Sequence, residues 1–228
     1  MRRYLFGFYK KDNMRFISHL DLQRLFKRCI KKSGIKPAYS QGFNPHEKIN
    51  IVHPLSLGFE TEMDYFELDS EVEYTPQQLL DGMNSALPEG IKFTFCREVP
   101  FAFKNSSSKV EWSEYIVFVP SSQNLNAEEF IMQDVVNIFK RDKKTKTMVE
   151  KDVKNWISQL TIVDEAADGT MLRMVLRSAP NETLNPMNLT EALCRFSGQP
   201  FDRERLRVCR LNMYVVIDGN LVALPESF

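Results

Sequence analysis

The feature that most restricts the fold of this chain is a pair of helices whose ends are clearly marked. Ser18 stands where an N-cap residue accepts a hydrogen bond from a free backbone amide, and Asp21 follows at the third helical position. Gly34 fits the end of that helix, and residues 75–78 (TPQQ) fit the start of the second. Between Ser18 and Gly34 apolar residues recur at helical spacing on one side, so this helix should bury one face and expose a basic one.

Short apolar segments lie on both sides of these helices. Residues 4–9, 49–53, 65–68 and 91–96 are rich in aromatic or β-branched side chains, which is typical of strands. The resulting order is strand, helix, strand, strand, helix, strand. This order is that of a ferredoxin-like sandwich, in which two helices cover one face of an antiparallel sheet.

The second half of the chain shows a similar but less regular order. Its predicted elements are a strand at 115–119, a helix from Asn126 to about Phe139, a short helix near 153–160, a hairpin around Asp168-Gly169, a helix capped by Asn188 and a hairpin around Asp218-Gly219. The predicted fold class is therefore α+β, with two ferredoxin-like (βαββαβ) sandwiches in tandem, the second irregular. The predicted domains are residues 1–99, a linker at 100–113, and residues 114–228.

Several classes of protein are excluded by composition and patterning. Charges interrupt every apolar run before it reaches the roughly 18 residues that cross a bilayer, so we expect no membrane-spanning segment. The apolar run near the N-terminus is too short for a secretory signal. The four cysteines are scattered and form no CxxC pair, which favours reduced thiols. We expect a cytoplasmic protein with no metal and no cofactor.

Positive and negative charges are segregated along the chain although they balance overall. Residues 1–54 contain 12 basic and 3 acidic side chains, giving +9, whereas residues 55–100 contain 2 and 10, giving −8. Such segregation favours a basic face that attracts phosphates or an acidic partner. The alternative is that the acidic block neutralises the basic block across adjacent strands. The basic segment 140–147 (KRDKKTKT) is a further surface that could contact phosphate.

Two segments beside the first helix hold the densest group of polar and histidine residues, namely 15–24 (RFISHLDLQR) and 39–48 (YSQGFNPHEK). The helix start favours an anion because of its free amides and dipole, and the second segment is a loop. Phe43 in this loop is a candidate for stacking on a base, whereas the strand aromatics Tyr4, Phe6 and Phe8 should fill the core. The residues predicted to contact a nucleic acid or a partner are Arg15, Ser18, His19, Arg24, Lys27, Arg28, Lys31, Tyr39, Gln41, Phe43, Asn44, His46 and Lys48.

An enzymatic role depends on whether the loop folds back along the helix. Its length is sufficient to bring His46 toward His19, and two imidazoles beside Arg15, Arg24 and Lys48 suit general acid–base work on a phosphodiester. Helix capping and ordinary turn chemistry explain the same residues without catalysis. The histidine spacing matches no familiar metal-ligand pattern, and the sequence contains no GxGxxG, Walker A, HExxH or GxSxG motif.

Taken in order, the segments RFISHLDLQRLFKR, YSQGFNPHEKI and PLSLG resemble the signature of the radical-SAM-linked proteins, a bacterial domain family of unknown function. The resemblance extends over most of the chain, although residues 114–228 match only in pattern. Members of that family are encoded beside, or fused to, a radical SAM protein. The resemblance therefore implies an accessory role with a radical SAM partner, and it carries no catalytic residues. A second similarity, in element order and basic first helix, is to tandem ferredoxin-like RNA binders and endoribonucleases of CRISPR systems.

The leading hypothesis is a non-catalytic, RNA-binding or substrate-presenting protein that works with a radical SAM modifying enzyme. The first alternative is a metal-independent RNA-cleaving or hydrolytic enzyme that uses His19 and His46. The second alternative is a protein-interaction module that binds no nucleic acid. All three hypotheses involve the segments 15–24 and 39–48. They can be distinguished by which side chains of these segments the fold leaves exposed.

Overall fold

The computed structural model of the chain describes residues 1–101, 105–120, 124–141 and 145–228. Residues 102–104 of the predicted linker and residues 142–144 of the basic segment lie outside the described residues. The chain forms two compact units, Met1–Val110 with Arg210–Phe228, and Glu111–Cys209. The C-terminal hairpin, which the sequence analysis grouped with the second domain, thus belongs to the first unit.

The described residues contain four α-helices and twelve strands. In chain order they are β1 (Arg2–Lys10), α1 (His19–Lys32), β2 (Ile49–Ile51), β3 (Glu60–Ser70), α2 (Pro76–Asn84), β4 (Ile91–Val99), β5 (Trp112–Pro120), α3 (Ala127–Met132), β6 (Asn137–Arg141), β7 (Met148–Asp152), β8 (Ile157–Ala166), β9 (Gly169–Ala179), β10 (Glu182–Thr183), α4 (Pro186–Phe196), β11 (Arg207–Ile217) and β12 (Asn220–Ala223).

The sheet of the first unit has β1 at its centre, paired antiparallel with β3 on one side and with β4 on the other. Strand β2 pairs with β3, and β11 lies next to β3 and carries β12. One face of the sheet packs on α1 and α2, because Tyr4, Phe6 and Phe8 form a core with Phe26 of α1. The opposite face buries a second core that includes Leu5 and Met213. The prediction that the aromatic residues of the first strand fill the core is confirmed.

Both predicted helices of the first unit begin as their capping residues indicate. The Ser18 hydroxyl accepts a hydrogen bond from the Asp21 amide, and Gly34 follows α1 with a positive φ of 72°, a conformation that glycine adopts without strain. At the start of α2, Thr75 and Gln78 form a reciprocal capping box. These predictions are confirmed.

The second unit differs from its predicted elements at three places. The helix predicted from Asn126 to Phe139 ends at Met132, and the residues after it form the β6–β7 hairpin, since they are rich in β-branched and aromatic side chains that favour strands. The predicted helix near 153–160 is a single 3-10 turn followed by β8. The cap of α4 is Asn185, whose side chain accepts from the Met187 amide, rather than Asn188.

The two hairpins predicted from turn residues are present. Strands β8 and β9 pair antiparallel around Asp168-Gly169, and β5 pairs with the other edge of β9. Strands β11 and β12 pair around Asp218 and Gly219, which both have positive φ angles, as a type I′ turn requires. The mixed α and β class is confirmed, whereas the tandem ferredoxin-like arrangement stays a prediction. None of the helices in the described segments combines the length and the apolar character needed to cross a membrane.

Candidate nucleic-acid interface

Helix α1 carries most of the predicted interface residues on its exposed side. Its apolar positions, among them Leu22 and Phe26, are buried in the first core. The opposite side of the helix therefore presents Arg24, Arg28 and Lys31 to solvent. The basic face that the sequence predicts for this helix is thus formed by the same packing that buries its apolar residues.

The N-terminus of α1 is occupied by the protein's own carboxylate. Asp21 accepts a hydrogen bond from the Ser18 hydroxyl at 2.7 Å and one from Arg24 at 2.8 Å. These two bonds, that of Ser18 first, lower the pKa of Asp21. An external phosphate at this helix end would meet a negative charge, so the cations further along α1 are the better phosphate ligands.

Residues 38–48, which we call the hairpin loop, fold back on themselves as a narrow hairpin. Tyr39 pairs antiparallel with Glu47. The Lys48 amide donates to the Ala38 carbonyl at 2.7 Å, and the Ser40 amide donates to the His46 carbonyl at 2.8 Å. The His46 amide in turn donates to the Ser40 hydroxyl at 2.9 Å. Two opposed backbone segments thus fix the stem, and residues 41–45 form an exposed tip.

An ion pair anchors the hairpin loop to α1. The Lys27 ammonium lies 3.0 Å from a Glu47 carboxylate oxygen. The pKa of Glu47 is lowered chiefly by a hydrogen bond with its own backbone amide and further by Lys27.

This anchor bears on the predicted approach of His46 to His19. His19 lies eight residues before Lys27, which is about 12 Å along a helix axis. No hydrogen bond joins His19 to His46 in the described part of the chain, and the anchor holds the residue after His46 two turns away from His19.

Half of the basic residues in positions 1–54 form ion pairs with carboxylates of the same chain. The ion-paired residues are Arg2, Arg3, Lys11, Arg15, Arg24 and Lys27. By contrast, Arg28, Lys31 and Lys32 have no carboxylate within 4 Å among the residues that the structure describes, and all three are exposed. We call these three residues the α1 cation cluster. The charge that remains available to an outside polyanion is therefore concentrated on the second half of α1.

Aromatic side chains of the hairpin loop are exposed to solvent. Phe43 at the tip is fully exposed, and Tyr39 in the stem is 49% exposed. Gly42 precedes Phe43 with a φ of 126°, a conformation that residues other than glycine rarely adopt. The polar residues Gln41, Asn44 and His46 around them are exposed as well. The loop therefore offers a ring face together with amide and imidazole hydrogen-bonding groups.

An exposed apolar patch near the start of α1 was not predicted from the sequence. It consists of Phe16, Leu20 and Leu57, which are 59%, 61% and 64% exposed. The Gly58 amide donates to the Arg15 carbonyl at 2.9 Å, so the PLSLG segment lies beside Phe16. The signal in the sequence is that Leu20 falls outside the helical positions occupied by the buried residues of α1.

A polar cavity of about 330 Å³ lies in the first unit next to Lys48, the last residue of the hairpin loop. Its wall includes Lys48, Arg3 with Asp69, and Asn50 with Glu67. Arg3 binds Asp69 at 2.7 Å and the Asn50 amide donates to Glu67 at 2.9 Å, so these charged groups already bind one another. The described residues contain no group of three or more His, Cys, Asp or Glu that could hold a metal ion.

The fold and the exposed groups define a mixed α and β protein with a basic helix, an aromatic loop tip and an apolar patch. The chain belongs to the DUF2344 family, described as an uncharacterized protein conserved in bacteria, and the match covers residues 3–186. This range includes all three segments on which the resemblance was based. A search of curated proteins found no match.

Proposed function

We propose that this protein is a non-catalytic accessory protein that binds RNA and presents it to a radical SAM modifying enzyme. The observation that carries the RNA part is the α1 cation cluster, three exposed cations without ion pairs in the described residues, on the helix to which the hairpin loop is anchored. Contacts of Arg and Lys with phosphates supply most of the affinity of such complexes. The radical SAM partner and the cytoplasmic location rest on the resemblance and on the sequence patterning.

The RNA part is tested by removing the cluster. The variant Arg28→Ala/Lys31→Ala/Lys32→Ala is compared with Arg203→Ala/Arg205→Ala/Arg207→Ala, which removes three exposed cations from the other end of the sequence. Binding of a fluorescein-labelled single-stranded RNA is measured by anisotropy over a series of salt concentrations. The cluster variant should bind roughly a hundredfold more weakly at 0.1 M salt and lower the salt slope by about 2, since each single-strand phosphate contact contributes about 0.7.

The control variant should keep the affinity and the slope of the natural protein. Equal losses in both variants, or no binding by the natural protein, would contradict RNA recognition by α1.

Purified protein incubated with the same RNA tests the enzymatic alternative. Cleavage that disappears in both His19→Ala and His46→Ala would establish catalysis and replace the accessory role.

The apolar patch favours a second function, docking of the radical SAM partner. Exposed apolar residues grouped in one region are typical of protein interfaces. The variant Phe16→Ser/Leu57→Ser should abolish co-purification with the radical SAM protein co-expressed from the same organism. Met132→Ser/Met148→Ser replaces two comparably exposed apolar residues and should leave co-purification unchanged. Retention of the partner by the patch variant would exclude this surface.

For the fold, we propose that each unit is built on the ferredoxin-like arrangement. In the first unit this is supported by the antiparallel order β2, β3, β1, β4 with two helices on one face. In the second unit it is supported by the order β8, β9, β5, with the β6–β7 hairpin as an insertion. In this proposal, that insertion accounts for the irregularity of the second unit.

A further inference from the structure

We propose that the hairpin loop recognises unpaired nucleotides, with the ring of Phe43 as the surface on which a base stacks. This inference rests on the proposed RNA binding and specifies its substrate class, namely single-stranded RNA or the loop of a folded RNA. The α1 cation cluster would hold the phosphates, and the tip of the hairpin loop would contact the bases.

The position of Phe43 differs from that of the three aromatic residues of β1 that fill the core. Tyr4, Phe6 and Phe8 are fully buried in the sheet, whereas the Phe43 ring has no packing contact that removes it from solvent. An isolated apolar ring in water contributes nothing to the stability of the fold. A planar ring held in the open is a suitable platform for a base, because every base has a π face.

The stem of the loop restricts the positions that the tip can reach. The Lys48 amide donates to the Ala38 carbonyl, the Ser40 amide donates to the His46 carbonyl, and the His46 amide donates to the Ser40 hydroxyl. Glu47 is held by Lys27. The tip is therefore presented at a fixed place beside α1 rather than at the end of a free tether. A platform that is already positioned loses less conformational entropy when the ligand binds.

The groups around the ring favour a nucleic acid over a lipid surface. Gln41, Asn44 and His46 are exposed neighbours, and amides and imidazoles hydrogen-bond to base edges. Insertion of the tip into a bilayer would remove these amides from water without providing partners, which is unfavourable. The bases must be unpaired, since the faces and the Watson–Crick edges of paired bases are occupied in a duplex.

The experiment uses the full chain and an RNA that carries 2-aminopurine at an unpaired position, both alone and annealed to its complement. Phe43→Ala should weaken binding to the single strand roughly 5- to 150-fold, the range for loss of one stacked base. It should also abolish quenching of the 2-aminopurine fluorescence. Phe43→Trp should retain both properties. Phe196→Ala, which removes an exposed phenylalanine of the second unit, should leave both unchanged.

The outcomes separate this inference from the function on which it rests. If the natural protein binds the single strand and Phe43→Ala binds equally well, base stacking is overturned while RNA binding stands. If the natural protein binds neither RNA form, the proposed function itself falls. Equal affinity for duplex and single strand would also overturn the inference, as would a Phe43→Ala defect confined to binding of phosphatidylglycerol vesicles. Circular dichroism of each variant verifies that the fold is retained.

Discussion

Arg210 and Asp64 form a buried ion pair with two parallel hydrogen bonds in the first unit. The guanidinium Nε and Nη2 atoms each lie 2.7 Å from a different carboxylate oxygen, and the two side chains are 1% and 2% exposed. Nη2 also donates to the His53 carbonyl at 2.9 Å, and the Thr61 hydroxyl donates to Asp64 at 3.0 Å. The pair thus joins β11 to β3 at a site closed to water.

Removing one member of this pair should destabilise the protein severely. Arg210→Met leaves the Asp64 carboxylate buried without its counter-charge, and the expected loss is about 3–5 kcal/mol of unfolding free energy. Urea denaturation followed by circular dichroism measures it. Arg210→Met/Asp64→Leu should recover most of the loss, because neither member of the pair then remains buried without the other. If Arg210→Met were as stable as the natural protein, the ion pair would have to be accessible to water in solution.

Gly7 lies where the sheet permits no side chain. A Cβ atom at this position would overlap the Phe95 ring and lie 2.6 Å from the Met63 sulfur. Gly7→Ala should therefore cost about 1–3 kcal/mol of unfolding free energy, as overpacked cores do. In a double-mutant cycle with Phe95→Leu, which removes the overlapping ring, the double variant should be more stable than the sum of the single effects. Strict additivity would contradict the proposed overlap.

The parts of the fold that could be predicted are those specified by neighbouring residues. The ends of α1 and α2 follow from Ser18 and from residues 75–78, because capping bonds join residues three apart. The same reasoning gave the correct start of α3 at Asn126, although the Asn126 side chain makes no capping bond. It gave the wrong end, since pairing between β6 and β7 outweighed the local helical pattern after Met132. The Arg210–Asp64 pair joins residues 146 positions apart, and no local signal indicates it.

The exposure of the loop in the candidate interface could be predicted from the sequence. Which of the nearby cations lack an ion pair could not. Residues 41–45 contain glycine, asparagine and proline, which favour turns, and their exposure follows from that composition. Which cations remain available depends on tertiary partners. Lys27 and Arg28 are adjacent in sequence, yet Lys27 binds Glu47 whereas Arg28 has no carboxylate within 4 Å in the described segments. The sequence therefore predicted the basic helix but could not identify the α1 cation cluster within it.

Lys10 is a buried lysine in the same region as the Arg210–Asp64 pair. Its side chain is 2% exposed and its ammonium donates to the Arg15 carbonyl at 3.2 Å. Burial lowers the pKa of Lys10 from 10.5 to about 8, against the opposing effect of Asp64. Folding therefore places a charged ammonium in a poorly solvated site at neutral pH, which reduces stability.

This pKa predicts that the protein becomes more stable as the pH rises from about 8 to 10.5. In that interval the unfolded chain holds a proton that the folded chain has released, so the unfolding free energy increases with pH. Below pH 8 both states are protonated and the penalty is constant. Relative to Lys10→Met, which has no proton to lose, the natural protein should gain up to about 3 kcal/mol across the interval. Parallel pH profiles of the two proteins would contradict the assignment.

Glu47 is paired with Lys27 and would compete with the phosphates of the RNA in the proposed function, so Glu47→Gln should strengthen RNA binding. The ion pair is partly exposed, so its loss should cost the loop at most about 1 kcal/mol, and the stem hydrogen bonds remain. Lys27 then becomes available for one more phosphate contact, which should raise the affinity several-fold and the salt slope by about 0.7. Anisotropy titrations against salt measure both quantities.

Asp21→Asn is the matched control for this prediction, because it releases Arg24 by the same removal of a carboxylate while leaving the hairpin loop anchored. Both variants should raise the salt slope if phosphates contact this side of α1. A gain for Asp21→Asn with a loss for Glu47→Gln would mean that the anchoring of the loop matters more than the charge of Lys27. In that case the bases held by the loop, rather than the phosphates along the helix, would supply most of the binding free energy.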